Sequence, residues 1–410
     1  LVNRGYTKWT LKQYDAGLAD VERALALEPD YQYAKGELLH MRMYTADWQD
    51  FARLKAAVEN GVRRGQRIVQ PFIFQAVAET PADARDCSRI WAGHKYPEQG
   101  VARHDRAARK GNKKIRIGYV SGEFRQQATA ILMAGVYDRH TKEKFELVAL
   151  DAGVSDQSPM RSRLDQAFAP WLALRSLSDQ DAAGAIASAG IDILVNLNGY
   201  FGDTRMGVFA QRPAPIQVNY LGFPATLGAP YMDYIIADKT VIPESEQAFY
   251  DEQVVYLPGC YQANDDQGRE MARTPSRGEA GLPDEGFVFC NFNSSYKLTP
   301  ETFDSWMRIL KQVDGSVLWL LESPAPYAEN LRKEAEARGV AGDRLIFTPV
   351  LPTDLHLARL QLAGLFLDGL PYNAHTTGSD ALWAGVPLIT RTGTAFAGRV
   401  ATSLLNAAGL

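Results

Sequence analysis

Short apolar runs alternate with helical stretches along most of this chain, and no other sequence feature constrains its fold as strongly. The first run begins at Ile115 and ends at the turn residues Ser121-Gly122. Neighbouring parallel strands need a long crossover, usually a helix, so this alternation predicts a parallel α/β sheet. The strands predicted for this first sheet are Ile115–Val120, Phe145–Leu150, Ile191–Leu197, Ile216–Leu221, Tyr234–Ala237 and Val254–Leu257.

The alternation stops in a polar stretch, residues 261–285, and then restarts. This stretch is rich in Asp, Glu, Gly and Pro and is predicted to be a linker. Open parallel sheets bind ligands beyond the carboxyl ends of their strands, so two such domains in tandem predict a ligand in the cleft between them. The strands predicted for the second sheet are Phe287–Phe292, Ser316–Leu321, Arg344–Phe347, Leu362–Leu367 and Leu388–Thr390.

The N-terminal part of the chain has a helical, repeat-like pattern. The run Tyr14-Asp15-Ala16-Gly17 opens a helix that stops before Pro29, which is typical of the second helix of a tetratricopeptide repeat. Trp48 follows Tyr14 by one repeat period of about 34 residues. The alternative is a generic helical hairpin. Two repeats are too few for a stable solenoid, so we expect either further repeats before Leu1 or docking of these helices on the next domain.

The predicted organisation has five parts. The first and last residues, Leu1 and Leu410, indicate a fragment of a longer protein, and we expect the last domain to be incomplete. A basic run that includes Arg103 and Lys110 is interpreted as a solvated lead-in to the first sheet. The parts are tetratricopeptide-like helices at 1–83, a helical linker at 84–114, a Rossmann-like domain at 115–260, a linker at 261–285 and a second Rossmann-like domain at 286–410.

Composition excludes several classes of function. The net charge of −4 gives no general attraction to nucleic acid, and no apolar run is long enough to span a bilayer. Cys87, Cys260 and Cys290 are far apart and form neither a disulfide framework nor a zinc motif, so we predict buried thiols and a cytoplasmic protein. The six histidines are scattered and predict no metal site.

The segment Leu370–Asp380 is the clearest candidate ligand site. It follows a predicted buried strand and leads into a helix that begins near Thr376 and Thr377. The free N–H groups and positive dipole end of a helix N-terminus suit a diphosphate, to which His375 can add an imidazole. Asp380 can accept hydrogen bonds from the hydroxyls of a sugar, which suggests a nucleotide diphosphate. Helix capping by Thr376 is an equally good explanation from local sequence alone.

Three other features can contribute to such a site. Lys297 follows the first strand of the second sheet and can offset phosphate charge, although most lysines lie on the surface. His356 and Arg359 are neighbours on a short helix and can meet a base or phosphate, with a surface pair as the alternative. The segment 221–228 is a tight loop after a strand of the first sheet, where glycines allow close approach to a ligand or simply form a turn.

Taken in order, these segments resemble glycosyltransferase family 41, the O-GlcNAc transferases, and in particular its bacterial members. The resemblance runs over nearly three quarters of the chain, and its strength lies in the ordered set of motifs. The matching segments are Gly118–Ser121, Asn198–Tyr200, Arg212–Gln217, Leu221–Pro224, Met232–Ile236, Asn291–Asn293 with Tyr296-Lys297, and His375–Gly378 with Asp380 and Leu382–Gly385.

The resemblance implies a GT-B fold, in which two Rossmann-like domains face each other. It implies transfer of N-acetylglucosamine from UDP-N-acetylglucosamine to Ser or Thr hydroxyls of proteins, with inversion and without a metal or cofactor, and acceptor recruitment by the helical repeats. It also implies the role of each site residue. Lys297, His375, Thr376 and Thr377 would meet the diphosphate, Asp380 the ribose, His356 and Arg359 the uracil side, and Leu221, Gly222 and Pro224 the sugar.

This chain departs from the family pattern at three positions. Gln127 stands where many members have a histidine proposed as a base or positioning group, and glutamine can orient groups but cannot take a proton at neutral pH. Phe201 replaces a frequent threonine, and Ser294 replaces a frequent glutamine. Two alternatives therefore stay open. One is the same fold with another UDP-sugar or another acceptor, and the other is a UDP-binding repeat protein with weak or lost transferase activity.

Overall fold

The computed structural model describes residues 1–99, 113–323 and 326–410, so the predicted basic run at 103–110 lies outside the described residues. The chain divides into two compact units. The first contains Leu1–Asp83 and Arg269–Leu404, and the second contains Ala84–Gly268 and Leu405–Leu410. The N-terminal helices therefore belong to the same unit as the second predicted sheet.

The second unit is built on a parallel sheet that has seven strands in the part of the chain that is described. The strand order is β3-β2-β1-β4-β5-β6-β7, so the direction of winding reverses between β1 and β4. The prediction missed β3, because a three-residue edge strand carries too little apolar pattern. The strands are β1 (Ile115–Ser121), β2 (Phe145–Asp151), β3 (Trp171–Ala173), β4 (Ile193–Asn196), β5 (Ile216–Asn219), β6 (Tyr234–Ala237) and β7 (Gln253–Tyr256).

Helices lie in the connections between successive strands from β1 to β5. Ser158 and Ser178 cap two of them by accepting hydrogen bonds from the N–H groups of Arg161 and Asp181. The helices of this part of the chain are α6 (Pro81–Lys95), α7 (Ala128–Arg139), α8 (Pro159–Ala167), α9 (Asp179–Ser188) and α10 (Met206–Phe209), with a 3-10 helix at Glu244–Phe249.

The first unit contains the second parallel sheet, with order β10-β9-β8-β11-β12 in the described residues. The winding again reverses, here between β8 and β11. The strands are β8 (Val288–Asn291), β9 (Val317–Leu321), β10 (Leu345–Thr348), β11 (Leu365–Leu367) and β12 (Leu388–Ile389). The helices are α11 (Pro300–Gln312), α12 (Pro326–Ala337), α13 (Thr353–Leu360), α14 (Thr376–Trp383) and α15 (Val400–Ala407), with short 3-10 helices at Ser295–Lys297, Gly342–Arg344 and Phe396–Gly398. The prediction of two Rossmann-like α/β sheets is confirmed.

The described part of the first unit begins with five helices. Helices α1 and α2 pack closely at Gly5 and Gly17, where a Cβ atom on either glycine would lie 2.8 Å from the carbonyl oxygen of the other. These helices form consecutive hairpins, and their assignment as tetratricopeptide repeats stays a prediction. The helices are α1 (Val2–Thr10), α2 (Tyr14–Leu27), α3 (Ala34–Tyr44), α4 (Phe51–Arg63) and α5 (Pro71–Phe74).

Helix α3 packs against the segment that follows β8. The Tyr44 ring stacks on the Tyr296 ring with centroids 5.8 Å apart, and the His40 and Tyr296 rings are 5.1 Å apart. Ser295 Oγ donates a hydrogen bond to the Tyr44 carbonyl over 2.8 Å. The N-terminal helices thus dock directly on the α/β domain of residues 286–404.

Across the described ranges, none of the helices combines the length and the apolar character needed to cross a membrane. Cys87 and Cys290 are buried thiols, and Cys260 is partly exposed.

The glycine contact between α1 and α2 makes a testable prediction about stability. Gly17→Ala places a methyl group against the Gly5 carbonyl, so overpacking should destabilise the first unit by about 1–3 kcal/mol. Gly93→Ala on α6 is the matched control, because no atom beyond its chain neighbours and its own helix backbone lies within 4 Å of the added methyl. Thermal denaturation should show a lower Tm for Gly17→Ala only. An equal Tm for both variants would contradict this packing.

Candidate nucleotide site

The loops after β8 and β11 emerge side by side, because these strands are parallel neighbours at the point where the winding reverses. Phe366 pairs with Cys290 in the register of the two strands. The Asn291 side-chain amide donates to the Leu367 carbonyl over 2.7 Å and fixes the two strand ends together. Such a switch point is where open α/β sheets bind their ligands.

Lys297 lies at the end of the loop from β8 and reaches the loop from β11. Its Nζ donates to the Asn373 carbonyl over 3.2 Å and lies 3.9 Å from the centroid of the Tyr372 ring. Burial lowers the pKa of Lys297 to about 7, against a partial opposing effect of Asp368. The ammonium is therefore only partly satisfied, and an anionic ligand would stabilise its charged form.

Asp368 was not among the predicted site residues, although its position directly after β11 was the available signal. Its two carboxylate oxygens accept hydrogen bonds from the Ala374 N–H and the Thr390 hydroxyl, each over 2.7 Å. Burial raises the pKa of Asp368 to about 6. The side chain holds the loop that presents Tyr372 and Asn373 to Lys297.

Helix α14 begins at Thr376, as predicted, with His375 at the N-cap position. The first hydrogen bond of the helix runs from the Ser379 N–H to the His375 carbonyl over 3.1 Å. The N–H groups of Thr376, Thr377 and Gly378 precede it, so they are the donors that this helix end offers to an anion. The Thr377 hydroxyl donates to the Asn293 side chain, which links the helix to the loop after β8.

His375 is held in its neutral form beside Lys297. Burial and the nearby Lys297 charge place the pKa of His375 well below its usual value. Its Nε2 lies 3.0 Å from the Ala397 carbonyl, and a carbonyl can only accept, so Nε2 carries the proton and Nδ1 is the acceptor nitrogen. This imidazole is a weak base.

Asp380 and His356 form a second cluster, one turn further along α14. Asp380 is buried, and its Oδ2 lies 4.0 Å from His356 Nε2. His356 Nδ1 accepts hydrogen bonds from Arg359, whose Nη2 is 3.0 Å away. Burial and Arg359 lower the pKa of His356 to about 4, so the ring is neutral. The Arg359 guanidinium also donates to the Pro349 carbonyl over 2.7 Å.

The second unit holds the remaining predicted residues. Gln127 is exposed and occupies the N-cap position of α7, after β1. Its backbone N–H donates to the Arg125 carbonyl over 2.6 Å. An exposed amide at this position offers no proton-accepting group.

The loop after β5, which starts at Leu221, is held in a fixed shape. Leu221 has a φ of 69°, a left-handed conformation that is rare for a leucine. A Cβ on Gly222 would lie 1.9 Å from the Leu197 carbonyl oxygen, so only glycine fits there. Pro224 is buried in the same loop.

The buried carboxylate of Glu252 braces this loop. Its oxygens accept from the Thr226 hydroxyl over 2.5 Å and from the Leu227 N–H over 2.7 Å. The Tyr200 hydroxyl donates to the Leu227 carbonyl over 2.6 Å. Burial raises the pKa of Glu252 to about 7.

The arrangement in the first unit suits a ligand that carries both an anionic group and hydroxyl groups. Lys297 and the start of α14 offer positive charge, whereas Asp380 offers an acceptor for hydroxyl groups. Within the described ranges, no group of three or more His, Cys, Asp or Glu side chains could hold a metal ion.

Comparisons with known proteins support a relation to glycosyltransferases. The sequence profile of glycosyl transferase family 41 matches residues 87–274 and 263–410. The chain is 38% identical to the probable UDP-N-acetylglucosamine–peptide N-acetylglucosaminyltransferase SEC of Arabidopsis thaliana, over 91% of this chain and 40% of that protein. It is 30% identical to the corresponding Caenorhabditis elegans transferase, over 75% of this chain and 36% of that one.

A solved structure also matches over almost the whole chain. This is a mutant of the Thermobaculum terrenum O-GlcNAc transferase, with a TM-score of 0.81 and 26% identity over 99% of this chain and 78% of that one. The chain spans about two fifths of the length of the two curated relatives.

Glu252 generates a prediction about pH. Its pKa rises from 4.5 to about 7 on folding, so the folded state favours the protonated form. The protonated side chain therefore contributes to the free energy of unfolding at low pH, and this contribution is lost as the pH rises from about 5 to 8. The loss can reach about 3 kcal/mol. Glu252→Gln stays neutral, so its Tm should fall less than that of the unaltered chain between pH 5 and pH 8. Parallel Tm profiles for the two proteins would contradict this.

Proposed function

Because the chain belongs to glycosyltransferase family 41, we propose that it transfers N-acetylglucosamine from UDP-N-acetylglucosamine to Ser or Thr hydroxyls of proteins. The observation that carries this proposal is the convergence of Lys297 and the N-terminus of α14 at the β8–β11 switch point. The names of the curated relatives supply the donor and the peptide acceptor. In a single displacement the acceptor oxygen bonds to the anomeric carbon with inversion, the bond from that carbon to the diphosphate breaks so that UDP leaves, and the hydroxyl proton passes to water.

The diphosphate of the donor would lie between Lys297 and the first turn of α14. Thr376 and Thr377 donate their backbone N–H groups to its oxygens, and His375 adds a neutral imidazole. As the bond to the sugar breaks, negative charge grows on the diphosphate, and the Lys297 ammonium stabilises it. Lys297 thus supplies the positive charge that a metal supplies in other transferases, so the proposed reaction needs neither metal nor cofactor.

The second cluster and the loop after β5 are assigned to the ribose, the uracil and the sugar of the donor. Asp380 accepts from the ribose hydroxyls, and His356 and Arg359 lie on the uracil side. From the family resemblance, we assign the loop residues Leu221, Gly222 and Pro224 to the sugar of the donor.

The N-terminal helices and Gln127 belong to the acceptor side of the proposed reaction. We propose that the N-terminal helices recruit the acceptor protein, in the manner of tetratricopeptide repeats. Gln127 orients the acceptor or a water molecule and cannot serve as the general base. The buried thiols Cys87 and Cys290 suit a reducing cytoplasm, which is where we place the reaction.

The Gln127 side chain favours a second candidate function. An exposed amide in place of a base suits a protein that binds UDP but transfers sugar slowly or not at all. A transferase that uses another UDP-sugar or another acceptor is the other alternative. A turnover assay over several UDP-sugars and peptides separates the three.

Lys297→Met tests the central role of the lysine. Loss of the ammonium should lower the rate of transfer to peptide by a factor of about 100–1,000, the usual effect of removing one group that stabilises transition-state charge. Lys311→Met is the control, because Lys311 is exposed on α11 of the same unit. Mass spectrometry of glycosylated peptide provides the rate.

Two outcomes would overturn parts of the proposal. Equal activity of Lys297→Met and the unaltered chain would remove the lysine from the mechanism. Tight UDP binding without any transfer, across donors and peptides, would favour the UDP-binding protein with lost activity.

The pKa of Lys297 makes a separate prediction about UDP affinity. Because the pKa of Lys297 is about 7, this lysine is largely neutral in the free protein above neutral pH. A bound diphosphate favours the charged ammonium form. UDP binding should therefore take up protons at pH 8, and affinity should fall between pH 7 and pH 9. Calorimetry in two buffers of different ionisation enthalpy measures the uptake. Lys297→Arg stays charged and should abolish it, and uptake unchanged in that variant would contradict the assignment.

A further inference from the structure

Arg269 was not among the predicted site residues, because it falls in the stretch interpreted as a linker. In the structure it begins the segment by which the chain returns to the first unit. Its side chain is only 2% exposed, which is rare for an arginine that has no structural task. No local sequence pattern marks it.

Trp383 fixes Arg269 on helix α14. The Trp383 Nε1 donates to the Arg269 carbonyl over 3.3 Å, and the Arg269 guanidinium carbon lies 5.1 Å from the centroid of the Trp383 ring. Backbone and side chain of Arg269 are therefore both held against this helix, and the guanidinium has little freedom to leave.

The guanidinium holds one oxygen of Asp380. Arg269 Nη2 donates to Asp380 Oδ1, and the other oxygen, Oδ2, faces the neutral His356 ring at 4.0 Å. Among the described residues, the charged or titratable groups that face Asp380 are Arg269 from the returning segment and His356 from α13, with Arg359 behind His356. Of these, Arg269 is the cation in direct contact with the carboxylate.

Burial and Arg269 act in opposite directions on Asp380. Burial raises the pKa of Asp380, and the charge and hydrogen bond of Arg269 lower it. Without Arg269, the carboxyl would be closer to protonation at neutral pH, and its Oδ1 would lose the hydrogen bond that Arg269 donates. A protonated or rotated carboxyl is a poorer acceptor for a pair of hydroxyls.

The contact also differs from a satisfied structural ion pair. Arg269 Nε and Nη1 are buried, and neither has a hydrogen-bond acceptor within the described ranges of the chain. Buried ion pairs normally satisfy their remaining donors, since an orphaned donor is destabilising. Unsatisfied buried donors are rare in native proteins, and a functional role is one explanation for them.

We propose that Arg269 is a positioning residue for the nucleotide, which holds the Asp380 carboxylate in place for the two ribose hydroxyls and so favours ribonucleotides over 2′-deoxyribonucleotides. This inference rests on the proposed function, because it assumes that Asp380 meets the ribose. It adds a residue from outside both sheets to the nucleotide site.

The test compares UDP with 2′-deoxy-UDP by calorimetry on the unaltered chain and on Arg269→Met. The unaltered chain should bind UDP about tenfold more tightly than the deoxynucleotide, the effect of one charge-assisted hydrogen bond. Arg269→Met should lose most of this preference, because only the affinity for UDP falls. The loss should be larger at pH 6 than at pH 8. Arg269→Lys keeps the charge and should retain part of the preference.

Arg273→Met is the matched control, since Arg273 lies in the same segment and is 74% exposed. It should bind both nucleotides like the unaltered chain. Arg269→Met or Arg269→Lys could instead weaken the binding of both nucleotides equally, or of neither, while the unaltered chain still binds UDP. That result overturns this inference and leaves the proposed function standing. Failure of the unaltered chain to bind UDP overturns the proposed function and this inference with it.

Discussion

The candidate nucleotide site depends on one structural constraint, the parallel pairing of β8 with β11 at the point where the winding of the sheet reverses. This pairing brings together two loops that are distant in sequence. Lys297 comes from one loop, and the start of α14 comes from the other. The hydrogen bonds of Asn291 and Lys297 across the two loops hold them in register. Loss of this pairing would separate the lysine from the helix end.

The N-terminal helices support the same loop from the opposite side. Tyr296, next to Lys297, packs against Tyr44 and His40 of α3, and Ser295 bonds to the Tyr44 carbonyl. The lysine is therefore fixed between the sheet and the helical region. This packing gives the helices a structural role at the candidate nucleotide site, in addition to the proposed recruitment of an acceptor.

Sequence patterns predicted the architecture well, because each buried parallel strand is an apolar run with a turn at its end. The start of α14 at Thr376 was predicted for the same reason. Asp368 could have been recognised from its place after β11. Arg269 could not, since its proposed role rests on burial against Trp383 and contact with Asp380, which no local pattern records. The short edge strand β3 was missed because three residues show no period.

The most direct test of the account is a crystal structure of this chain with UDP bound. Diphosphate oxygens should lie within hydrogen-bond distance of Lys297 Nζ and of the backbone N–H groups at the start of α14. The ribose hydroxyls should lie against Asp380. UDP bound elsewhere in the first unit, or bound with its diphosphate away from Lys297, would contradict the assignment of this site.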